Sequence, residues 1–251
     1  MRSTPDQPRG LDVNIRSGPQ AREYRAIVER IVADGPSTVL DWGCGYGQIT
    51  ALLSERGIGV TAYDYREDAP EPRTEPLERF PGLTAHVSSE PVRLPFADDS
   101  FAAVLSLGVL EHVQDPDASL EELERVLVPG GTLYVYKLPN RYSYLERIAK
   151  LAGLYYHGSL PHDRVYTLDS ARDLLERHGY EVTEARRANI LPLTLPGRLA
   201  SRFADRLWRA NVGLAAAPGL NAIATNVELV ARAPRESSTG RRDARHGTLR
   251  A

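Results

Sequence analysis

The stretch Val39-Leu40-Asp41-Trp42-Gly43-Cys44-Gly45-Tyr46-Gly47 joins a short apolar run, an acidic residue and alternating glycines. The apolar run predicts a buried strand, and the glycines predict a tight turn that opens a helix. Backbone amides and the dipole at the start of a helix favour a carboxylate or a phosphate. The segment therefore predicts a strand, an anion-binding turn and a helix in that order.

The spacing of the glycines separates two kinds of cofactor. Gly43, Gly45 and Gly47 alternate, whereas a dinucleotide-binding turn needs a glycine where Gln48 stands. This spacing disfavours NAD and FAD. Asp41 can instead attract the ammonium group of an amino-acid moiety, while the turn amides hold its carboxylate.

A second acidic residue ends the next predicted strand, residues 59–64. Asp64 follows the turn by roughly 20 residues, where a carboxylate can accept hydrogen bonds from both hydroxyls of a ribose. Tyr65 offers a flat face for a purine. The alternative for Asp64 is an ordinary turn or helix-capping residue.

Short β-branched runs alternate with helical patterns along the chain, which is typical of a parallel sheet covered by crossover helices. The expected fold is α/β, a Rossmann-like seven-stranded, mostly parallel sheet with helices on both faces. Its strands are predicted at 38–41, 59–64, 83–87, 101–107, 132–137, 180–187 and 222–231. Its helices are predicted at 20–33, 48–56, 117–126 and 168–178.

Composition limits the possible classes of protein. With 251 residues, 42% of them apolar, the chain can bury one substantial core. A net charge of −2 gives no general attraction to nucleic acid. Cys44 is the single cysteine, which excludes an internal disulfide, a cysteine-rich zinc site and a three-cysteine iron–sulfur site.

The two ends of the chain differ from its middle. We expect a flexible tail at 1–12, one domain at 13–233 and a disordered tail at 234–251, because the last segment is rich in Ser, Gly and Arg. The beginning of the chain lacks the apolar core of a signal peptide, and no stretch approaches transmembrane length. A cytoplasmic location is the resulting expectation.

Five ordered segments resemble the class I S-adenosylmethionine (SAM)-dependent methyltransferases, especially the broad group that includes quinone-biosynthesis enzymes. They are 39–47, Asp64, Leu94-Pro95-Phe96, 101–113 with its Leu110-Glu111-His112-Val113, and Val126-Leu127-Val128-Pro129-Gly130-Gly131. The resemblance covers about residues 20–137 well and the remainder in outline. It implies SAM as the cofactor and methyl transfer as the reaction.

The resemblance also extends the set of candidate cofactor-binding residues. Glu90 stands four positions before Leu94, where the family usually has an aspartate that accepts from the adenine amino group, and Ser89 lies beside it. Leu107 and Gly108 match the segment that runs beside the methionine part of SAM. The full candidate set is Asp41, Gly43, Cys44, Gly45, Gly47, Asp64, Tyr65, Ser89, Glu90, Leu107 and Gly108.

His112 and Glu111 are the candidate catalytic residues. Methyl transfer is an in-line displacement that depends mainly on holding the acceptor close and aligned in a dry pocket. A protein base helps when the acceptor is a hydroxyl or phenol and matters less for an amine. His112 can take that proton with Glu111 orienting its imidazole, or the two side chains only hydrogen-bond the local turn.

Two insertions, at about 139–166 and 189–220, are expected after the fifth and before the seventh strand and are predicted to form an acceptor lid. The alternative for the first is the core of a surface subdomain. A metal site at His157, His162 and Asp163 lacks a second group of ligands, so no metal is expected. The candidate acceptor-binding residues are Tyr142, Tyr144, His157, His162 and Tyr166.

The second insertion contains a basic amphipathic helix, with Arg198, Arg202, Arg206 and Arg209 on one face. Such a face suits peripheral contact with a membrane or a lipid-like substrate, and it also suits a solvated lid or a homodimer contact. The oligomeric state stays open.

The expected function is methyl transfer to a small organic acceptor in the biosynthesis of a secondary metabolite or of a quinone-like or lipid-like compound. Nucleic acid is not an expected partner, because Leu107-Gly108-Val109-Leu110 differs from the Asn/Asp-Pro-Pro-aromatic signature associated with methylation of exocyclic base amines. A catalytically silent SAM-binding regulatory module is the main alternative, and an NAD-dependent oxidoreductase is a weaker one.

Overall fold

The computed structural model describes residues 18–69, 71–153, 162–193 and 202–235. The strands in these ranges are β1 (Thr38–Trp42), β2 (Gly59–Tyr65), β3 (Arg73–Pro76), β4 (Thr84–Ser88), β5 (Phe101–Leu107), β6 (Leu127–Pro139), β7 (Glu181–Ala188) and β8 (Asn226–Arg232). The α-helices are α1 (Gly18–Asp34), α2 (Gln48–Glu55), α3 (Pro116–Val126), α4 (Tyr144–Leu151), α5 (Leu168–Arg177) and α6 (Ala204–Ala216). A short 3-10 helix occupies Leu220–Ile223.

The strands form one sheet in the order β3-β4-β2-β1-β5-β6-β8-β7. The pairs from β4 to β6 are parallel, and the pairs β3–β4, β6–β8 and β7–β8 are antiparallel. The chain moves from β1 to β2 on one side and later returns to place β5 on the other. Ligands of such sheets bind outside the carboxyl ends of the strands at this switch point.

The α/β fold with a mostly parallel sheet is confirmed, and the described residues contain eight strands where seven were predicted. The additional strand, β3, is the four-residue edge segment Arg-Thr-Glu-Pro, which pairs only with β4. Polar side chains and a terminal proline are typical of an edge strand, and they give no alternating apolar pattern. This composition explains why the sequence did not indicate it.

Several element boundaries also differ from the prediction. β6 begins at Leu127, because the Val-Pro-Gly-Gly segment extends the strand that was predicted from 132. β8 begins at Asn226, because the residues before it form the 3-10 helix. The insertion after β6 contains α4, which was not predicted, and the side chain of Ser143 caps this helix by accepting from the Glu146 amide.

The two faces of the sheet are covered by different helices. On β1, Val39 packs with the residues of α1 and α2, whereas Leu40 packs with those of α3 and α5. Consecutive strand residues point to opposite faces, so both sides of β1 are buried. The Tyr134 hydroxyl donates to Asp34 Oδ2 at 2.6 Å and fastens the end of α1 to β6.

The second insertion is joined to α1 by buried amides. Asn211 of α6 donates to Asn189 Oδ1 at 2.7 Å, and Asn189 donates to Glu23 Oε1 at 2.6 Å. The Asn211 carbonyl oxygen also accepts from the amides of Ile190 and Leu191, each at 2.8 Å. These bonds place α6 beside α1, over the face of β7 and β8.

Some predictions concern residues that the structure does not describe. They include the tail at 1–12, all but the beginning of the tail at 234–251, His157 and Arg198. Among the helices in the described ranges, none has the length and apolar character needed to cross a membrane.

Candidate active site

A cavity of about 370 Å³ lies at the carboxyl ends of β1, β2 and β5, at the switch point of the sheet. A volume of a few hundred Å³ is typical of sites for small molecules. Predicted cofactor-binding and catalytic residues from three separate parts of the chain meet there. The lining comprises Trp42, Gly43, Tyr63, Asp64, Tyr65, Pro91, Val92, Leu94, Gly108, Val109, His112, Val113, Gln114 and His162.

The turn after β1 needs glycine for reasons of backbone conformation and of space. Gly43 and Gly47 have φ values of 74° and 81°, in the left-handed region that side chains disfavour. A Cβ on Gly43 would lie 2.4 Å from Cγ2 of Val109, and a Cβ on Gly47 would lie 2.5 Å from Cδ1 of Leu77. The turn therefore passes close to both neighbouring segments.

Some amides of this turn are used within the protein. Gly43 and Cys44 both donate to the Tyr63 carbonyl at 2.9 Å, and Gly47 donates to the Cys44 carbonyl at 2.9 Å. The predicted binding of an anion therefore rests on the amides of Gly45 and Tyr46 and on the start of α2. The Cys44 side chain is buried, which raises the pKa of its thiol and keeps it uncharged.

Asp41 lies beneath the turn and does not line the cavity. Its carboxylate accepts a hydrogen bond from Thr50 Oγ1 of α2 at 2.6 Å. Burial raises the pKa of Asp41 to about 6, although the bond from Thr50 opposes this shift. This placement indicates a structural contact between β1 and α2, and the predicted contact with an ammonium group stays a prediction.

Asp64 and Tyr65 line the cavity where they were expected, at the end of β2. Partial burial raises the pKa of the Asp64 carboxyl, while the charge of Arg66 lowers it. Tyr65 is half-exposed and adjoins the same space. A carboxylate beside an aromatic ring at this edge suits a ribose joined to a purine.

Of the other residues predicted to bind the cofactor, one lines the cavity and three do not. Gly108 lines the cavity with a φ of 69°, whereas Leu107 packs against the core on the α1 and α2 side. Ser89 donates its amide to the Ala69 carbonyl at 3.1 Å, and the side chain of Glu90 is exposed. Neither of these two lines the cavity, although the next residue, Pro91, does.

A buried ion pair supports the wall of the cavity at Leu94. Glu122 of α3 accepts from the Leu94 amide at 2.7 Å and pairs with Arg125 at 2.6 Å. Arg125 also donates to the carbonyls of Phe96 at 2.8 Å and Leu94 at 3.2 Å, and it pairs with Asp98 at 2.7 Å. The sequence analysis did not identify these residues, because charged residues in an amphipathic helix normally face solvent.

His112 contacts a carboxylate that the sequence analysis considered only as a metal ligand. Nδ1 of His112 lies 2.9 Å from Oδ1 of Asp163, whereas Nε2 lies 3.9 Å from Oε1 of Glu111. The first distance is a hydrogen bond and the second is too long for one. The residue that orients the imidazole is therefore Asp163, which lies 51 positions further along the chain.

The remaining candidates for acceptor binding lie in different surroundings. His162 lines the cavity, and Tyr142 is exposed. Tyr144 donates its hydroxyl to the Ile190 carbonyl at 2.6 Å, which connects the two insertions. Tyr166 is buried in the core, where burial raises its pKa to about 12.

A larger cavity of about 570 Å³ lies between α1, α6, β7 and β8. Its wall includes Trp208 of α6, and two of its arginines are paired, Arg30 with Glu184 at 2.6 Å and Arg186 with Glu228 at 2.7 Å. It contains neither the glycine turn nor Asp64. We therefore assign the candidate site to the smaller cavity.

No metal site is evident in the part of the chain that the structure describes. Within those ranges, no three side chains of the types His, Cys, Asp and Glu are gathered closely enough to hold an ion.

Comparison with known proteins identifies the type of domain that contains this cavity. Residues 40–135 match the family model of a methyltransferase domain, and this range contains the turn, Asp64 and His112. The chain is also 32% identical over 132 residues to methyltransferase GfsG of Streptomyces halstedii, a match that covers 51% of this chain and 46% of the relative. The chain therefore contains a methyltransferase domain of the class I SAM-dependent type at residues 40–135.

Two further comparisons extend beyond this range. A demethylmenaquinone methyltransferase of Tropheryma whipplei is 29% identical over 180 residues, which covers 65% of this chain and 74% of the relative. A solved structure, the 1,6-didemethyltoxoflavin-N1-methyltransferase of Burkholderia thailandensis, has a TM-score of 0.54 at 20% identity and covers 90% of this chain and 82% of its own. The latter supports the fold alone.

The matches cover only part of the length of the relatives named above. The matched part spans about half the length of the curated relatives, 46% of GfsG and 56% of an uncharacterized methyltransferase of Mycobacterium bovis. The similarity lies in the methyltransferase domain.

The residues of the cavity fit SAM, the cofactor of this family. Gly43 brings the backbone of the turn to the wall of the cavity without a side chain, and Asp64 places a carboxylate on the same wall. Apolar side chains such as Val109 and Leu94 complete a pocket for an adenosine group. The cavity thus offers a hydrogen-bond acceptor that suits a ribose and an apolar enclosure that suits a base.

Proposed function

We propose that this methyltransferase transfers the methyl group of SAM to a small organic acceptor held beside His112. The observation that carries the proposal is the meeting of Gly43, Asp64, Gly108 and His112 in one cavity at the switch point of the sheet. SAM, when bound, supplies an electrophilic methyl group. The protein holds the cofactor through the turn and Asp64 and excludes water with the apolar wall.

The proposal divides the cavity by chemistry. Asp64 and Tyr65 bind the ribose and the purine, and Val92, Leu94 and Val109 enclose the purine edge. The amides of Gly45 and Tyr46 bind the carboxylate of the methionine part. The acceptor occupies the end near His112 and His162.

We further propose that the acceptor belongs to the biosynthesis of a secondary metabolite or of a quinone-like or lipid-like compound. The names of the relatives support this class, since they include a demethylmenaquinone methyltransferase and an enzyme of ubiquinone biosynthesis. The insertion at 139–166 brings His162 to the cavity, which supports its role as a lid. The insertion at 189–220 borders the larger cavity, so its role over the acceptor stays a prediction, as do the membrane contact, the homodimer and the cytoplasmic location.

The test is methyl transfer from radiolabelled SAM to a panel of phenols, hydroquinones, amines and activated carbon acids. We expect S-adenosylhomocysteine (SAH) and a labelled product to form only when a suitable acceptor is present. A protein that binds SAH and yields no labelled product with any of these classes would favour the silent binding module instead. Wild-type protein denatured by heat is the control for spontaneous transfer.

A further inference from the structure

Two histidine–aspartate pairs occur in the described part of the chain, and only one borders the candidate site. His112 Nδ1 lies 2.9 Å from Asp163 Oδ1, and His178 Nε2 lies 2.8 Å from Asp117 Oδ1. The Asp163 side chain is 2% exposed, whereas that of Asp117 is 55% exposed. His112 lines the cavity, so the buried carboxylate supports an imidazole that contacts the ligand space.

The pairing determines which nitrogen of His112 carries the proton. A carboxylate accepts hydrogen bonds, so Nδ1 is the donor to Asp163 and the lone pair of the neutral ring lies on Nε2. The Glu111 carboxyl group also lies near the ring, 3.9 Å from Nε2. The Asp163 carboxylate lies where it can balance the charge of the imidazolium that forms when Nε2 takes a proton.

Asp163 is held firmly in this position by its neighbour. The Arg164 amide donates to the Glu111 carbonyl at 2.9 Å, and its guanidinium donates to the carbonyls of Val113 and Gln114, the latter at 2.8 Å. These bonds join the end of the first insertion to the turn that follows β5. The aspartate and the histidine therefore keep a fixed relation although they are distant in sequence.

We propose that Asp163 is a positioning residue that makes His112 a general base, and that the acceptor atom is the oxygen of a hydroxyl or phenol. This inference rests on the proposed function and names its substrate class. An amine acceptor has a lone pair and needs no base before attack, whereas a hydroxyl reacts well only as its proton leaves. A buried carboxylate that fixes the tautomer of the His112 imidazole is therefore useful when the acceptor is a hydroxyl or phenol.

The proposed step transfers one proton to His112 and one methyl group to the acceptor oxygen. As the O–H bond of the acceptor breaks, the proton passes to Nε2 of His112, and an oxygen electron pair forms the O–CH3 bond. The C–S bond of the methyl donor breaks with its electron pair remaining on sulfur, which gives a neutral thioether. The imidazolium is then charge-balanced by Asp163 and returns its proton to solvent.

The first test measures the tautomer and needs no acceptor. The 15N shifts of His112 are recorded on SAH-saturated protein at about pH 8.5, where an ordinary imidazole is neutral. We expect the Nδ1–H form in the wild type and a shift toward the Nε2–H form in Asp163→Ala. The matched control is Asp117→Ala, which removes the carboxylate of the surface pair and should leave the His112 signals unchanged.

The second test measures specificity and rate with 4-methylcatechol and 3,4-diaminotoluene in competition, because these probes have the same shape. We expect the O-methyl product to predominate by more than about 10-fold. Asp163→Ala should lower kcat by about 10- to 100-fold, with the KM for SAM and the affinity for SAH nearly unchanged. Asp163→Asn, which preserves side-chain size, repeats the measurement in case the alanine variant unfolds.

The outcomes separate the two proposals. Predominance of N-methyl product, or a His112 tautomer and kcat unaffected by loss of Asp163, would overturn the dyad and leave methyl transfer standing. Failure of the wild type to bind SAH would overturn the proposed function and this inference together. The expected combination, a changed tautomer with a lower kcat and retained SAH affinity, supports both.

Discussion

Replacing His112 by alanine should lower kcat for methyl transfer by about 10²–10⁴-fold, the usual contribution of a general base. The physical reason is that the acceptor proton then has no nearby base, while the cofactor contacts at Asp64 and the glycine turn remain. The affinity for SAH should stay nearly constant. Steady-state kinetics with the acceptor found in the labelled-SAM assay, together with SAH titration, measure both quantities.

The matched control for this variant is His178→Ala. His178 also pairs with an aspartate, Asp117, but lies outside the cavity and should retain nearly full activity. Equal kcat in His112→Ala and wild type would show that proximity alone drives the reaction. A parallel loss of SAH affinity in His112→Ala would instead place the imidazole among the cofactor contacts.

Replacing Arg125 by alanine should lower the free energy of unfolding by about 3–5 kcal/mol. The Glu122 carboxylate, with only 7% of its side chain exposed, would lose its buried partner, and the carbonyls of Leu94 and Phe96 would lose a donor. For a domain of this size the loss corresponds to roughly 6–20 °C in Tm. Thermal and urea unfolding followed by circular dichroism measure the change.

Arg172→Ala provides the comparison for Arg125→Ala. Arg172 pairs with Glu176 at 3.5 Å, and both side chains are largely exposed, so its loss should change stability by at most about 0.5 kcal/mol. Similar Tm values for the two variants would mean that the ion pair of Glu122 and Arg125 contributes no more than a surface pair. The wall at Leu94 would then be held mainly by packing and by the bond from the Leu94 amide to Glu122.

Local patterns in the sequence predicted the central part of the fold and part of the cavity lining. β1, its glycine turn and α2 form one continuous stretch of the chain. The turn conformation at Gly43 and Gly47 is therefore determined by residues that are adjacent in sequence. Asp64 was found because parallel strands bring their carboxyl ends to one edge. Both features depend on short-range spacing and on a general rule of topology.

Contacts between distant segments could not be predicted in the same way. Asp163 reaches His112 across 51 positions, and its only local signal, proximity to His162, suggested a metal. Glu111 was expected to orient the imidazole because it adjoins His112, yet its nearest carboxylate oxygen lies at 3.9 Å. Adjacency in sequence alone therefore does not show that two side chains are hydrogen-bonded to each other.

The surroundings of a predicted site residue also depend on backbone geometry that the sequence does not show. Asp41 belongs to the predicted motif, but the alternation along β1 directs it toward Thr50 of α2. Tyr166 belongs to the predicted lid, but its backbone forms a β-bridge with Asn140 and its side chain packs in the core. In both cases the residue type suited the function, and the geometry of the backbone decided its surroundings.

Calorimetric titration with SAH, with NADH in parallel, on the wild type and on Asp64→Ala measures whether this cavity binds the cofactor. We expect 1:1 binding of SAH by the wild type, no binding of NADH, and an affinity at least about 100-fold lower in Asp64→Ala, because two hydrogen bonds to a carboxylate are lost. Absence of SAH binding by folded wild-type protein, or undiminished binding by the variant, would contradict the assignment of the SAM site to this cavity.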